Sequence, residues 1–318
     1  MKPAPEEFAR KSRALALLEF VPVRTFQIAL RLIPRRTALA VGRLIGLAAC
    51  ALDRRHREVA HANLRASLPE AADERARRRI VRRCFAHFGA VGVECLLLPY
   101  RKLKDLDRLV VFEGIEHLKR AHMLGKGVFV ASAHAGNWEI AALFQGWEGV
   151  PIAMVTRPLD NPYLDRMLAR GRRRSGNEII HKRNAVRGIM KALKDGWSVA
   201  ILIDQDFPES ERIFVDFFGR PAAAAPTLGL LALRTGAPVV PVASAYLPDG
   251  RIRVRYHPPV EPKDSGDRDA DALDIMQRAT AELEAEIRQT PDQWLWMHRR
   301  WKTRPRDRAV AGSAGKTT

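Results

Sequence analysis

The chain has 318 residues, enough to bury a sizeable core as one large domain or two small ones, and its 47% apolar content excludes a disordered chain. Lys and Arg outnumber Asp and Glu by 54 to 36, a net charge of +18, so an anionic partner is expected: nucleic acid, an anionic lipid surface or an acidic protein. Aromatic residues are only 7% and no helix-turn-helix or RNP pattern occurs, which sets nucleic acid aside.

Two apolar stretches open the chain, residues 14–33 (ALALLEFVPVRTFQIALRLI) and 37–52 (TALAVGRLIGLAACAL). Glu19, Arg24 and Arg31 interrupt the first and Arg43 the second, which is also shorter than the ~20 residues of a membrane span. No small-residue cleavage site follows either stretch, so a signal peptide fits poorly. Leu17, Phe20, Val21, Phe26 and Leu30 share much of one helical face, and Arg24 and Arg31 fall together on one side. The favoured reading is a pair of amphipathic helices lying in or shallowly inserted at the membrane interface; two core helices of a soluble domain and a true span are the alternatives.

Asp53–Leu68 reads as a basic helix ended by Pro69. A longer helix runs from Ala71 to about Leu98, with Ile80, Cys84, Phe88 and Val91 at helical spacing. Its arginine clusters, Arg77–Arg79 and Arg82–Arg83, are either a solvated face or, beside the apolar N-terminus, a lipid-facing one. The three cysteines, Cys50, Cys84 and Cys95, lack metal-ligand or C-x-x-C spacing and read as reduced, buried thiols of a cytosolic compartment.

From about residue 110 strands and helices alternate. Val128–Ala133 is a strand, Asn137 caps a helix Trp138–Phe144, and Ile152–Thr156 is a second strand. Asp160 or Asn161 caps a helix to about Arg174; Ala185–Lys194 is helical, and Trp197–Ile203 a strand. Pro226–Arg234 is a helix closed by Gly236, Val239–Leu247 and Arg251–Tyr256 are strands, and Asp269–Gln289 is a long helix. The alternation predicts an α/β fold, a central sheet flanked by helices. Residues 1–52 form the apolar and basic N-terminal region, 53–305 the main domain, and 306–318 a frayed tail.

In open α/β sheets, ligands gather at the carboxyl ends of strands. His134, Arg157, Asp204-Gln205-Asp206 and Tyr246 occupy such ends. His134 begins the sequence His-Ala-Gly-Asn-Trp-Glu139, which pairs an imidazole with a carboxylate across a turn and suits proton abstraction from a hydroxyl. Arg157 is a candidate for an anionic substrate group or a surface ion pair; Asp204 and Asp206 are candidates for substrate binding or turn formers. No G-x-S-x-G, P-loop, G-x-G-x-x-G or H-E-x-x-H pattern occurs, and no metal or cofactor is expected.

The segment SAHAGNWE (residues 132–139) resembles the His-x4-Asp/Glu motif of glycerolipid acyltransferases. The closest likeness is to the bacterial lipid A late acyltransferase family of lauroyl and myristoyl type, which also includes phosphatidylinositol mannoside acyltransferases. The likeness continues in order: Arg54–Arg57 through Asn63-Leu64 to Leu68-Pro69, where Leu replaces a Phe; Thr156-Arg-Pro-Leu-Asp-Asn-Pro162; Asp204-Gln-Asp206; Val215-Asp-Phe-Phe-Gly219; Leu231–Pro241; and Trp294–Pro305.

The resemblance implies a glycerolipid acyltransferase-like fold with an N-terminal membrane-associated region. It implies transfer of an acyl chain from acyl carrier protein, or from coenzyme A, to a hydroxyl of a lipid A precursor or related glycolipid, at the cytoplasmic face of the inner membrane. His134 would be the general base and Glu139 would orient it. Arg157 would bind a phosphate or sugar of the acceptor. Asp204, Asp206 and Asp216 would bind acceptor or support His134, and Asn137 or backbone N–H groups would supply the oxyanion site. A lysophospholipid acyltransferase, or a hydrolase using the same dyad, is the alternative.

Overall fold

A computed structural model describes residues 12–69, 73–100, 107–182 and 185–305, so the expected tail at 306–318 lies outside the described residues. Four helices come first: α1 (Arg13–Leu30), α2 (Arg35–Leu52), α3 (Arg54–Ser67) and α4 (Glu74–Leu97). Asp53 ends α2 and caps α3, its carboxylate accepting from the N–H of His56 at 3.0 Å. No described helix is long and apolar enough to cross a membrane.

The contact of α2 with α4 depends on missing side chains. A Cβ on Gly46 would fall 2.0 Å from the carbonyl oxygen of Phe85, and one on Gly89 would fall 2.1 Å from that of Gly42. The two helix backbones therefore touch, and only glycine fits there. Arg35 of α2 adds a 2.5 Å ion pair to the buried Glu94 of α4.

Beyond residue 107 the chain builds a seven-stranded sheet in the order β1-β9-β8-β2-β5-β3-β4. The strands are β1 (Val110–Glu113), β2 (Val128–Ser132), β3 (Ile152–Thr156), β4 (Glu178–His181), β5 (Ser198–Leu202), β8 (Val239–Tyr246) and β9 (Ile252–Tyr256). The sheet is mixed: β8 pairs antiparallel with β9, and the other five pairings are parallel. Helices α5 (Ile115–His122), α6 (Trp138–Trp147), α7 (Pro162–Arg172), α8 (Ala185–Lys194), α9 (Thr227–Thr235) and α10 (Arg268–Gln289) connect and cover it. The expected α/β architecture with a flanked central sheet is thus present.

Strand β2 shows why both faces need covering. Phe129 and Ala131 pack into one core with Ile189 and Leu193 of α8, Leu228 of α9 and Ile275 of α10. Val128 and Val130 point the other way, to Leu118 of α5 and to Ile140, Leu143 and Phe144 of α6. A separate hairpin of β6 (Ile213–Asp216) and β7 (Pro221–Ala224) lies outside the main sheet. Sequence reasoning missed β1, α5, β4 and this hairpin. Each of these strands has four residues, and β7 reads Pro-Ala-Ala-Ala, with no β-branched or aromatic residue to mark it.

Candidate active site

Register places the central pair. Strands β2 and β5 are parallel neighbours with Ser132 opposite Leu202, so the residue two beyond each strand end meets its counterpart. Those residues are His134 and Asp204. Nδ1 of His134 lies 2.8 Å from Oδ1 of Asp204, and the backbone N–H of His134 donates to Oδ2 at 2.8 Å. Trp294, buried in the C-terminal segment, donates its indole N–H to the same Oδ2 at 2.8 Å.

The electrostatics follow from this geometry. Burial alone would raise Asp204, but the charge and hydrogen bond of His134 and the Trp294 donor hold it down at about 2. Burial pulls the His134 imidazole down, yet Asp204, through charge and hydrogen bond, outweighs burial and leaves it above its ordinary value. With Nδ1–H donating to an ionised carboxylate, Nε2 is the basic nitrogen, and it has no hydrogen-bond partner among the described residues. The ring keeps partial solvent access, at 19% side-chain exposure.

The expectation that Glu139 orients His134 is corrected here. Glu139 is the second residue of α6, and each helical step turns about 100°. Trp138 therefore faces the imidazole, edge-on at 5.0 Å between centroids, while Glu139 faces α7. There Arg172 grips it with two parallel bonds, Nε to Oε2 at 2.8 Å and Nη2 to Oε1 at 2.5 Å. Glu139 still favours the charged form of His134 through space, as the weakest of the named influences.

Asn137 is also reassigned. Its Oδ1 caps α6 on the N–H of Ile140 at 3.1 Å, and its amide N–H groups go to Glu94 at 3.0 Å and to the Tyr246 hydroxyl at 2.8 Å. Both side-chain donors are spent, so Asn137 does not supply the oxyanion site. The Tyr246 hydroxyl donates in turn to Glu94. A partly buried chain Arg35–Glu94–Tyr246–Asn137 thereby joins α2, α4 and β8 to the turn that carries His134.

That turn is held from other sides too. The backbone of Gly136 has φ +57°, and a Cβ there would meet the Ser244 carbonyl oxygen at 2.0 Å. His87 of α4, pushed down to about 4 by burial, is neutral and donates Nε2–H to the Gly136 carbonyl at 3.0 Å. The N–H of Gly136 donates to the Gln293 carbonyl at 3.0 Å.

The other expected site residues lie as follows. Arg157 follows β3 with an exposed side chain, 3.3 Å from Asp160. Asp206 turns inward: its carboxylate accepts from the N–H and hydroxyl of Thr303, at 3.2 and 2.9 Å, and so ties down the C-terminal segment. Asp216 is exposed on the hairpin and caps its turn at the Gly219 N–H, 2.8 Å away. No hydrogen bond or ion pair among the described residues links Asp206 or Asp216 to His134. Sequence reasoning missed Arg172, His87, Glu94 and the role of Trp294. Only Trp294 carried a signal, as part of the C-terminal tryptophan cluster. That cluster is braced by Asn63 of α3, which donates to the carbonyls of Trp296 and His298 at 2.8 and 2.9 Å.

A cavity of about 70 Å³ runs beneath α6 from Trp138 to Tyr256. Val130, Ala141, Met154, Ala200 and Val242 are among its walls, and the Glu139–Arg172 pair closes one side. The site thus combines a basic imidazole nitrogen at an open edge with a narrow apolar recess behind it.

Comparison with known proteins gives the family. The profile of the family described as bacterial lipid A biosynthesis acyltransferase matches residues 6–303. The chain is similar to the lipid A biosynthesis palmitoleoyltransferase of Escherichia coli K12, 31% identical over 83% of this chain and 85% of the relative. It is also similar to the lauroyltransferase of that organism, 28% identical over 82% and 84%, and to its myristoyltransferase, 26% identical over 82% and 79%. A solved structure, the 1-acyl-sn-glycerophosphate acyltransferase PlsC of Thermotoga maritima, aligns over 82% of this chain and 99% of that one at TM-score 0.38 and 16% identity, a likeness too distant to carry an argument. The chain belongs to the bacterial lipid A biosynthesis acyltransferase family and is an acyltransferase.

Proposed function

We propose that this acyltransferase moves an acyl chain from the thioester of acyl carrier protein, or of coenzyme A, to a hydroxyl of a lipid A precursor, with His134 as general base. The observation that carries this reading is the imidazole with Nδ1 committed to Asp204 and Nε2 open. Nε2 takes the proton of the acceptor hydroxyl as its oxygen attacks the thioester carbonyl. The C–O bond forms, the C–S bond breaks, and the proton on His134 passes to the leaving thiolate. Asp204 stabilises the imidazolium in between. The N–H groups of Trp138 and Glu139, in the first turn of α6, lack an intrahelical acceptor and would serve the developing oxyanion. The apolar recess beneath α6, at about 70 Å³, takes the first few carbons of the acyl chain.

The work takes place at a membrane surface, the cytoplasmic face of the inner membrane. Supporting this are the exposed apolar side chains of the first two helices and their connection, Leu18, Val21, Leu32, Leu44 and Leu52, of which Leu32 is 83% and Leu52 85% exposed. With no spanning helix among the described residues, attachment along the interface suits these helices. The test is His134→Ala, assayed with purified protein, a lipid A precursor and an acyl-carrier-protein thioester. Transfer is expected to fall by at least ~10²-fold, the lower end of what a general base contributes, with the melting temperature held within a few degrees. Near-wild-type transfer by a folded variant overturns the assignment.

A further inference from the structure

The arginines of α4 take no part in the site described above. Arg75, Arg78, Arg79, Arg82 and Arg83 recur at helical spacing on one exposed face. An open cleft of about 700 Å³ lies along that face, with all five arginines in its wall and Leu47 of α2, Ala76 and Ala86 in its apolar lining. A neighbouring cleft of about 630 Å³ shares Leu47, Arg78 and Arg82 and adds Arg57 and His61 of α3.

The charge of this face is poorly compensated. Glu74 is shared between Arg65, Arg77 and Arg78, and Asp292 stands 4.0 Å from Arg83. Arg75, Arg79 and Arg82 have no ion-pair partner among the described residues. Like charges at this spacing repel, and an ordinary solvated helix face mixes the two signs. A concave row of guanidinium groups matches phosphate oxygens, which it can hold by paired N–H bonds.

Two further features select the ligand. Apart from the carboxylate of Asp73 at the N-terminal end of α4, the remainder of the wall is apolar, and Leu44, Ile45 and Leu52 of α2 are exposed. An apolar strip beside arginines suits an anionic lipid, chains along α2 and headgroup on α4, better than the polar surface of an acidic protein. Position is the second feature. Ala86 at the end of the cleft precedes His87, which bonds the Gly136 carbonyl in the turn that carries His134. At 1.5 Å of rise per residue, Arg83, Arg82 and Arg79 lie about 6–12 Å along the helix from His87.

We propose that the cleft between α2 and α4 seats the phosphate-bearing headgroup of the lipid acceptor, with its phosphate on Arg79, Arg82 and Arg83. The assignment rests on the reading of the protein as transferring acyl chains to a phosphorylated glycolipid, and two assays separate it from that reading. The first is sedimentation of the full chain with phosphatidylcholine vesicles, with and without phosphatidic acid. The Arg79→Gln/Arg82→Gln variant, which keeps helix-forming residues, is expected to bind phosphatidic acid vesicles about tenfold more weakly than wild type, and neutral vesicles equally. Arg54→Gln/Arg55→Gln removes the same charge outside the cleft; a loss of binding as large as that of the cleft variant overturns the proposal. So does displacement of the wild type by millimolar inorganic phosphate, which would mark a site for small phosphates. The second assay is acyl transfer, where the cleft variant should raise the KM of the phosphorylated acceptor about tenfold with kcat and the donor KM unchanged. A rise confined to the donor KM gives the cleft to the acidic carrier protein and overturns the proposal. If wild type transfers nothing to a lipid A precursor, the functional reading falls, and the vesicle result still decides the cleft.

Discussion

Replacing Asp204 by Asn tests the His134–Asp204 pair directly. The wild-type carboxylate accepts three hydrogen bonds, from Nδ1 and the backbone N–H of His134 and from Trp294, each at 2.8 Å. An amide of the same shape has only one acceptor oxygen. If that oxygen keeps the two N–H donors on the Oδ2 side, its NH2 faces Nδ1, which must then become the acceptor. Nε2 would carry the proton and cease to be a base. In the Ser-His-Asp triad such a tautomer switch costs about 10⁴ in kcat, and a general base is worth 10²–10⁴. We therefore expect Asp204→Asn to lower kcat/KM by about 10³–10⁴-fold. The residual activity should also titrate differently. Asp204 is what lifts the His134 imidazole against burial, so without its charge the acid limb of the pH profile moves to lower pH. The assay is transfer of a labelled acyl chain to a lipid A precursor in detergent micelles across the pH range. A loss of less than about tenfold with an unmoved acid limb would refute the reasoning and return the orienting role to another group. Stability is linked as well. Asp204 titrates at about 2 against an ordinary 3.8, so its contribution is fully present above pH 3.8 and is lost as pH falls through 2. That contribution is on the order of 2 kcal/mol, and urea melts of wild type and variant at pH 7 and pH 2 would show the difference closing.

Other substitutions separate the remaining parts of the site. Glu139→Gln leaves the Arg172 guanidinium buried without its counter-charge, which by analogy with other broken buried pairs costs about 3–5 kcal/mol. The melting temperature, read by calorimetry, should fall by about 6–15 °C while the acid limb of kcat/KM stays near that of wild type. A variant of unchanged melting temperature with a shifted limb would contradict this division of roles. Ala142→Leu adds three carbons to the wall of the recess beneath α6. It should lower transfer from acyl donors of every chain length, seen by mass spectrometry of products from a mixed donor pool; unchanged transfer would place the acyl chain elsewhere.

The sequence made much of this fold legible because its punctuation is local. Asn137 and Asn161 cap α6 and α7, Gly236 ends α9, and apolar runs mark β2, β3, β5 and β8. Short strands with weak preferences escaped, β4 and β7 among them. The site was legible as a set of strand ends; of its pairings, only that of Asp204 with His134 was among the alternatives, and only through the resemblance. His134 and Glu139 are close in sequence, but the rotation of a helix decides where Glu139 points, and it points at Arg172. Asp204 is 70 positions from His134 and becomes its partner only because β2 and β5 lie side by side in register. Nothing in the local pattern reports strand order. The saturation of Asn137 by Glu94 and Tyr246 likewise depends on three elements whose contact no spacing rule reveals.

The glycine contact between α2 and α4 bears on how far the protein can be trimmed. A chain begun at Asp53 would lose the helix whose backbone lies on Gly89 and Phe85, and with it Arg35, the counter-ion of Glu94. Glu94 would then stand uncompensated at the end of the chain of bonds that reaches Asn137 and the turn of His134. The first two helices are therefore part of the frame in which the imidazole is aimed, and a fragment cut free of them would lose that alignment as well.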